Sequence, residues 1–288
     1  MGYCSMIKLG LGTVQFGCNY GISNTNGQVK PEEVLRILDF AKSNGIKYLD
    51  TASVYGNSEE VLGNFDLNGF RIITKTVRAD KNLEICENIK LFKTALEESK
   101  RKLSKNELYG LLFHEANDLL SCYGKNLWEL ATDFKHKEGL SKIGVSVYNP
   151  EELMQIIRLY PIEIVQLPLN ILDQRFVPLL KDLKRQGIEI HTRSAFLQGL
   201  LLMEPEKVNS YFSSIVPVLK SIPAPKIAYA LNFIKNLPEI DRIIVGCTSL
   251  QEIQEIVNMY FINVREVEYS KFKVDDIRMI NPSLWEIK

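Results

Sequence analysis

Short apolar runs alternate along the chain with longer segments in which apolar residues recur at helical spacing. The short runs are typical of strands buried on both faces, since they are mostly apolar and do not alternate with polar residues. Eight such strands are predicted: Lys8–Gly12, Tyr48–Asp50, Phe70–Lys75, Tyr109–His114, Lys142–Val147, Ile162–Gln166, Ile188–Thr192 and Arg242–Gly246.

A helical segment follows each predicted strand. The pattern i, i+3, i+4, i+7 predicts a helix over Glu32–Ala41, with apolar residues at Val34, Ile37, Leu38 and Ala41. A second helix over residues 85–103 has one apolar stripe, at Ile85, Ile89, Phe92, Leu96 and Leu103. Asn149 and Ser249 are predicted to cap later helices, and the stretch Glu204–Leu237 is predicted to be helical or mixed.

Eight strand–helix repeats predict an α/β fold, a (β/α)8 TIM barrel. The 288 residues suit one domain over residues 1–288, with residues 261–288 as a C-terminal extension over the barrel rim. The alternative is an open doubly wound sheet. Its Gly-x-Gly-x-x-Gly fingerprint is absent, and no helix is predicted to open directly after Gly10-x-Gly12.

Charge and cysteine content narrow the classes of partner. Lys plus Arg and Asp plus Glu both number 35, so the formal net charge is zero and favours neither nucleic acid nor an acidic membrane. No secretory signal pattern and no membrane-spanning apolar stretch is visible. Scattered cysteines without a Cys-x-x-Cys pair predict reduced thiols, at Cys4, Cys18, Cys86, Cys122 and Cys247. We therefore expect a cytoplasmic monomer or small homo-oligomer that acts on a small molecule and has no metal site.

Polar side chains stand at the ends of three successive predicted strands. Asp50 ends the second strand, with Tyr55 just beyond it, while Lys75 and His114 end the third and fourth. Each residue alone has an ordinary structural role, as a turn cap, a loop tyrosine, a solvated lysine or a core histidine. Because the carboxyl ends of barrel strands converge on one rim, the four together predict a proton-transfer site.

The neighbouring residues are expected to shift the pKa of the Tyr55 phenol. A tyrosine has a pKa of about 10 and is a poor acid at neutral pH. A neighbouring ammonium such as Lys75 should lower that pKa, with Asp50 holding the lysine charged and in place. Tyr55 would then give a proton to a carbonyl oxygen, and His114 would donate a hydrogen bond to the same oxygen.

At these residues the sequence resembles the aldo-keto reductase family, over nearly the whole chain. The resemblance is carried by Leu9-Gly10-Leu11-Gly12-Thr13, Phe16-Gly17, Asp50-Thr51-Ala52-x-x-Tyr55-Gly56-x-Ser58-Glu59-x-x-Leu62-Gly63, Thr74-Lys75 and His114. It implies that Tyr55 is the general acid/base, tuned by Asp50 and Lys75, and that His114 orients the carbonyl. It also implies that NADP(H) or NAD(H) binds across the barrel rim without a Rossmann domain.

The resemblance further implies a set of cofactor-binding residues. Ser146 and Gln166 would hold the carboxamide, the loop from Arg193 would lie beneath the nicotinamide and pyrophosphate, and the region from Gly246 would hold the adenosine end. The full set is Thr13, Asp50, Ser146, Gln166, Arg193, Ser194, Phe196, Gln198, Gly246, Thr248, Ser249 and Glu255.

The chain departs from the family pattern in three ways. Val147 stands where many members have Asn, so one carboxamide contact is missing or replaced. Arg193 stands where many have a stacking Tyr, and its charge would disfavour the oxidised ring, which favours carbonyl reduction. Gly246 and Glu252 replace basic residues, which leaves the choice between NADP and NAD open. Compensating cations are expected in the C-terminal segment, at Lys271, Lys273 or Arg278.

The predicted function is the reversible reduction of an aldehyde or ketone, such as a sugar, to an alcohol. Tyr55, His114 and Tyr20 are predicted to contact the substrate, with Phe16 and Trp285 lining the same pocket. The alternative is that the loop around Tyr20 is a surface loop that packs only on its own aromatic residues. Two other functions stay open: a non-catalytic, cofactor-sensing regulatory subunit of the same fold, and a barrel epimerase or lyase.

Overall fold

Eight parallel strands close into one barrel in chain order, and the last strand pairs with the first. The computed structural model describes residues 7–287, so Cys4 lies outside the described residues. The strands are β1 (Leu9–Gly12), β2 (Tyr48–Asp50), β3 (Arg71–Lys75), β4 (Leu108–Phe113), β5 (Leu140–Ser146), β6 (Ile164–Pro168), β7 (Glu189–Arg193) and β8 (Arg242–Gly246).

Helices occupy the connections between the strands. They are α1 (Val14–Gly17), α2 (Pro31–Ser43), α3 (Ser58–Gly63), α4 (Ile85–Lys102), α5 (Ala116–Leu120), α6 (Gly124–Glu138), α7 (Pro150–Leu159), α8 (Leu180–Arg185), α9 (Val216–Ser221), α10 (Lys226–Lys235), α11 (Leu250–Phe261) and α12 (Ile277–Ile280). Short 3-10 turns lie at Val177–Leu179, Leu197–Leu202, Pro205–Lys207, Ser210–Ile215, Tyr269–Phe272 and Pro282–Leu284. Between residues 7 and 287, no helix has both the length and the apolar character needed to cross a membrane.

The predicted barrel is confirmed, and most strand bounds shift by only one or two residues. Two local predictions are wrong. The one-turn helix α1 opens almost directly after β1, where no helix was expected. Ile85, predicted on the buried stripe of α4, is 40% exposed, while Asn88 is buried. The amide of Asn88 binds both backbone groups of Asp80, so the preceding loop folds onto Asn88 rather than onto Ile85.

The C-terminal segment packs on the loops that follow β6 and β7. The backbone N–H of Val274 donates to the carbonyl of Leu172 at 2.9 Å. Trp285 packs edge-on against Phe212, with ring centroids 4.8 Å apart. These loops leave the carboxyl ends of their strands, so the extension covers part of the barrel rim, as predicted.

A charged cluster occupies the opposite, amino-terminal end of the barrel around Glu189. This carboxylate accepts hydrogen bonds from Tyr109 Oη at 2.5 Å and from the ammonium of Lys142. Its other oxygen lies 2.6 Å from His191 Nε2. Burial alone would raise the pKa of Glu189, but the contacts with His191, Lys142 and Tyr109 together hold it well below its usual value of 4.5.

We expect Glu189→Gln to lower the free energy of unfolding at pH 7 by about 3 kcal/mol, because it removes the buried carboxylate of an ion pair whose lysine is 30% exposed. A carboxyl with a depressed pKa stabilises the fold above its unfolded pKa and loses that contribution as the pH falls through its folded pKa. The difference from wild type should therefore shrink below pH 4.5. Urea unfolding at several pH values measures it, with the exposed Glu266→Gln as control. Equal stability of both variants at pH 7 would contradict this role.

Candidate active site

The structure brings the four predicted catalytic residues together at the carboxyl end of the barrel. Asp50 and Lys75 end β2 and β3, and Lys75 Nζ lies 2.7 Å from Asp50 Oδ2. The same ammonium lies 3.2 Å from the Tyr55 hydroxyl. His114 follows β4, and its ring lies edge-on to that of Tyr55, with centroids 5.8 Å apart. The phenol of Tyr55 thus lies between an ion pair and an imidazole.

The ion pair is almost fully excluded from solvent and has few unused hydrogen-bonding groups. The Lys75 side chain is 1% exposed and the Asp50 side chain 6%. Besides Asp50, the ammonium donates to the Thr51 carbonyl at 2.9 Å and contacts Tyr55. The second oxygen of Asp50 accepts from Gln166 Nε2 at 2.7 Å. Because these contacts fix both charged groups, the position of Tyr55 relative to them is also fixed.

The loop that carries Tyr55 packs tightly against the segment after β1. A side-chain carbon added at Gly17 would lie 1.8 Å from the Tyr55 carbonyl oxygen, so only glycine permits this approach. Ser58 Oγ donates to the Thr13 carbonyl at 2.8 Å, and Thr13 Oγ1 donates to the Asp50 carbonyl at 3.0 Å. These contacts hold the Tyr55 loop against the end of β2.

Burial dominates the protonation states at the site. Burial and the neighbouring Asp50 carboxylate raise the pKa of Tyr55 above its usual value, and Arg193 lowers it by less. Burial, with the cations Lys75 and Arg193, lowers the pKa of His114 to about 3. Burial also lowers the pKa of Lys75, against the opposing effect of Asp50.

The raised pKa of Tyr55 corrects the expectation that Lys75 would lower it. Asp50 lies closer to the ammonium than the phenol does, so its negative charge cancels most of the field that would favour a phenolate. At neutral pH the site therefore holds a protonated phenol and a neutral imidazole. Both can donate to one oxygen atom, and Lys75 can stabilise the phenolate that forms after the proton has moved.

A cleft of about 570 Å³ opens above Tyr55 and extends towards the start of α11. Twelve of the predicted site residues line it: Tyr20, Asp50, Tyr55, His114, Ser146, Arg193, Ser194, Phe196, Gln198, Gly246, Thr248 and Glu255. The lining also includes residues that had not been singled out as site residues, among them Val14, Gln15, Tyr148, Met203, Ile227 and Ile256.

Four predicted site residues do not line this cleft. Lys75 and Gln166 lie buried beneath it in contact with Asp50, and Gln166 Oε1 has no hydrogen-bond partner among the described residues. Thr13 is buried and holds the backbone of β2. Ser249 caps α11, where its hydroxyl accepts from the Glu252 N–H at 3.2 Å.

The aromatic and basic residues expected to complete the pocket lie elsewhere. Phe16 is fully buried in the core, and Trp285 packs on Phe212 rather than facing the cleft. Of the expected C-terminal cations, Lys273 pairs with Asp275, Arg278 pairs with Asp276, and Lys271 lies over Phe272. None of these lines the cleft. Two of these three cations thus pair with acidic residues two positions away in sequence, and the third lies over an aromatic ring.

The loop after β7 has an unusual backbone. Ser194, Leu197 and Gln198 have φ values of 60°, 49° and 54°, a left-handed conformation that costs energy for residues other than glycine. A side-chain carbon at Gly199 would lie 1.8 Å from Ser23 Oγ, which ties this loop to the one after α1. Such local strain is found where a backbone must meet a ligand closely, and Ser194 and Gln198 line the cleft.

Arg193 and Tyr148 form a stacked pair in the wall of the cleft. The guanidinium carbon lies 3.8 Å from the centroid of the Tyr148 ring, and Arg193 Nη2 donates to the Val147 carbonyl at 3.0 Å. Tyr148 was not among the predicted site residues. The sequence signal that could have indicated it is an aromatic residue directly after Val147, at the end of a strand on the same rim as Tyr55.

Metal and disulfide chemistry have no candidate residues within the described part of the chain. Residues 7–287 contain no group of three or more His, Cys, Asp or Glu side chains placed to hold a metal ion. The four described cysteines, Cys18, Cys86, Cys122 and Cys247, are free thiols.

Comparison with known proteins agrees with the barrel fold. The sequence matches the Aldo/keto reductase family over residues 8–274. The chain belongs to the aldo/keto reductase family. Membership places it among oxidoreductases that reduce carbonyl groups. No curated protein matches the sequence significantly.

Solved structures of aldo-keto reductases share the fold of this family member. Aldo-keto reductase AKR11C1 from Bacillus halodurans, in its holo form, superimposes with a TM-score of 0.72 at 19% identity, over 92% of this chain and 90% of that one. Glycerol dehydrogenase AKR11B4 from Gluconobacter oxydans gives a TM-score of 0.69 at 18% identity, over 96% and 93% of the two chains. At these identities the likeness concerns the fold.

Gly17→Ala should displace the Tyr55 loop, because the added carbon meets a backbone oxygen that cannot move independently. We expect a loss of about 1–3 kcal/mol in stability from overpacking. Carbonyl turnover should fall about a hundredfold from misplacement of the phenol. Thermal unfolding and steady-state rates measure both effects.

The matched control is Gly110→Ala, whose added carbon meets no backbone atom and only the side chain of Ile73, at 3.2 Å. Equal behaviour of the two variants would show that the Gly17 contact does not position Tyr55.

Proposed function

We propose that this family member catalyses the reversible reduction of an aldehyde or ketone to an alcohol with a nicotinamide dinucleotide. The observation that carries the proposal is the Tyr55 phenol, 3.2 Å from a buried ammonium and edge-on to a neutral His114, at the base of a cleft. A protonated phenol and a neutral imidazole that line the same cleft suit the protonation of a carbonyl.

The residues around the cleft fit a nicotinamide dinucleotide. Gln166 Oε1 is buried without a partner among the described residues, and the Ser146 hydroxyl borders the cleft, which suits the donors and acceptor of a carboxamide. The left-handed backbone at Ser194 and Gln198 suits close approach of phosphate groups to the chain. When bound, the nicotinamide supplies or accepts the hydride.

The protein's own residues then control the oxygen of the substrate. His114, neutral because its pKa is about 3, donates a hydrogen bond that orients the carbonyl. As the π electrons move to oxygen, Tyr55 gives its hydroxyl proton to that atom. Lys75 keeps its contact with the phenolate, and Asp50 keeps Lys75 in place. For alcohol oxidation the same groups act in reverse.

Tyr55→Phe removes the transferable proton but keeps the ring, so turnover of carbonyl compounds should fall about a hundredfold or more. Dinucleotide affinity, measured by fluorescence titration, should be unchanged because the proposed carboxamide and phosphate contacts remain. Tyr211→Phe, a change outside the cleft, serves as the control.

Near-normal turnover by Tyr55→Phe would overturn the mechanism. Wild-type protein that binds dinucleotide but turns over no carbonyl compound would favour the regulatory-subunit alternative.

The acidic start of α11 supports NAD(H) as the preferred cofactor. Glu252 and Glu255 line this end of the cleft, and Glu252 Oε2 accepts from the Thr248 N–H at 2.6 Å. A second carboxylate, that of Glu33, accepts from the Leu250 N–H at 2.6 Å. N–H groups that would suit a phosphate are therefore already bound to carboxylates, and no described Lys or Arg lines this end.

We expect NADH to bind about tenfold or more tightly than NADPH, because a 2′-phosphate would meet like charge. Glu252→Gln should narrow this difference, and the exposed Glu129→Gln should leave it unchanged. Fluorescence titration with both dinucleotides gives the two dissociation constants. Tighter binding of NADPH by the wild type would refute the assignment.

A further inference from the structure

Arg193 is a partly buried cation whose hydrogen-bonding capacity is mostly unused. One face of its guanidinium covers the Tyr148 ring, and one of its five N–H groups donates to the Val147 carbonyl. Its other donors bind no residue in the described part of the chain. No carboxylate of residues 7–287 forms an ion pair with it, although many surface cations of this chain are paired. The guanidinium therefore lies in the cleft wall with free donors.

The side chains around Tyr55 carry a net positive charge. Asp50 and Lys75 cancel each other, and Tyr55 and His114 are neutral. Arg193 lowers the pKa of both Tyr55 and His114, so its charge acts in the same chamber. The part of the cleft where the carbonyl is proposed to react therefore carries one net positive charge.

The end of the cleft near α11 carries negative charge. Glu252 and Glu255 line it where β8 leads into α11, and Arg193 is the only described Lys or Arg among the residues that line the cleft. An anionic small molecule is repelled from the α11 end and attracted to the Tyr55 end. The polarity of the cleft thus favours one position for a negatively charged group, beside Arg193.

We propose that Arg193 binds an anionic group of the substrate, so that this protein reduces aldehydes or ketones that carry a carboxylate or a phosphate. The inference rests on the proposed carbonyl reduction and names its substrate class. A guanidinium suits either anion because its planar fork can donate two parallel hydrogen bonds. The stack on Tyr148 and the bond to Val147 hold this fork in place before the ligand arrives.

Matched substrate pairs separate the effect of the anionic group on turnover from that of the carbonyl group. The carboxylate arm compares 4-oxobutanoate with butanal, and the phosphate arm compares glyceraldehyde 3-phosphate with glyceraldehyde. For the wild-type holoenzyme we expect kcat/KM to be about tenfold or more higher for the anionic member of at least one pair, as for a charge-assisted hydrogen bond. The difference should lie mainly in KM.

Variants of Arg193 test whether its guanidinium causes the preference for anionic substrates. Arg193→Gln keeps an amide that can donate to Val147 but removes the charge, and should abolish the preference. Arg193→Lys keeps the charge without the planar fork and should retain part of the preference for anionic substrates. Arg185→Gln is the control, because Arg185 is a mostly exposed arginine, paired with Asp182, that does not line the cleft.

Binding of succinate, an unreactive relative of 4-oxobutanoate, gives a readout that needs no turnover. Calorimetry on the dinucleotide-bound protein should show a dissociation constant about tenfold higher for Arg193→Gln than for wild type.

A wild type that turns over both members of each pair equally overturns this inference and leaves the proposed reduction standing. An equal loss for neutral and anionic substrates in Arg193→Gln also overturns it, since Arg193 would then act on the dinucleotide. Dinucleotide binding without turnover of any of the four compounds overturns the proposed reduction instead.

Discussion

The carboxylate of Asp50 and the ammonium of Lys75 are almost entirely removed from water, and the rest of the site depends on how that is tolerated. Desolvating an ion pair costs several kcal/mol per ion, and the loss is offset only where the remaining donors and acceptors are also bound. Here Thr51, Gln166 and Tyr55 provide those contacts. They come from the ends of different strands and the loop after β2, so the pair is satisfied only when the barrel has closed in the correct register.

Burial is the main reason why the phenol stays protonated, because it raises the pKa of Tyr55, and the ion pair adds to this effect. An isolated ammonium beside Tyr55 would favour the phenolate, but Asp50 neutralises Lys75 at 2.7 Å and itself opposes ionisation. The site is thereby suited to give a proton, with Lys75 ready to stabilise the product phenolate. The net positive charge of the site comes from Arg193, which lies outside this ion pair.

The residues at the strand ends could be predicted from sequence, whereas the conformations of the loops could not. Parallel barrels bring their carboxyl strand ends together, so Asp50, Lys75 and His114 were predictable once the strands had been recognised. The position of Tyr148 depends on a stack with Arg193 from another strand. The left-handed backbone at Ser194 has no local sequence signal, because no glycine marks it. Contacts between distant segments decide such features, and periodicity contains no information on them.

Strand β7 links the two ends of the barrel. Glu189, His191 and Arg193 alternate along it, so all three side chains fall on one face of the strand. Glu189 and His191 belong to the charged cluster at the amino-terminal end, whereas Arg193 stacks on Tyr148 in the cleft. A slip of one residue would turn all three away from their partners at once. The cluster around Glu189, at the amino-terminal end of the barrel, therefore favours the register in which Arg193 reaches the cleft.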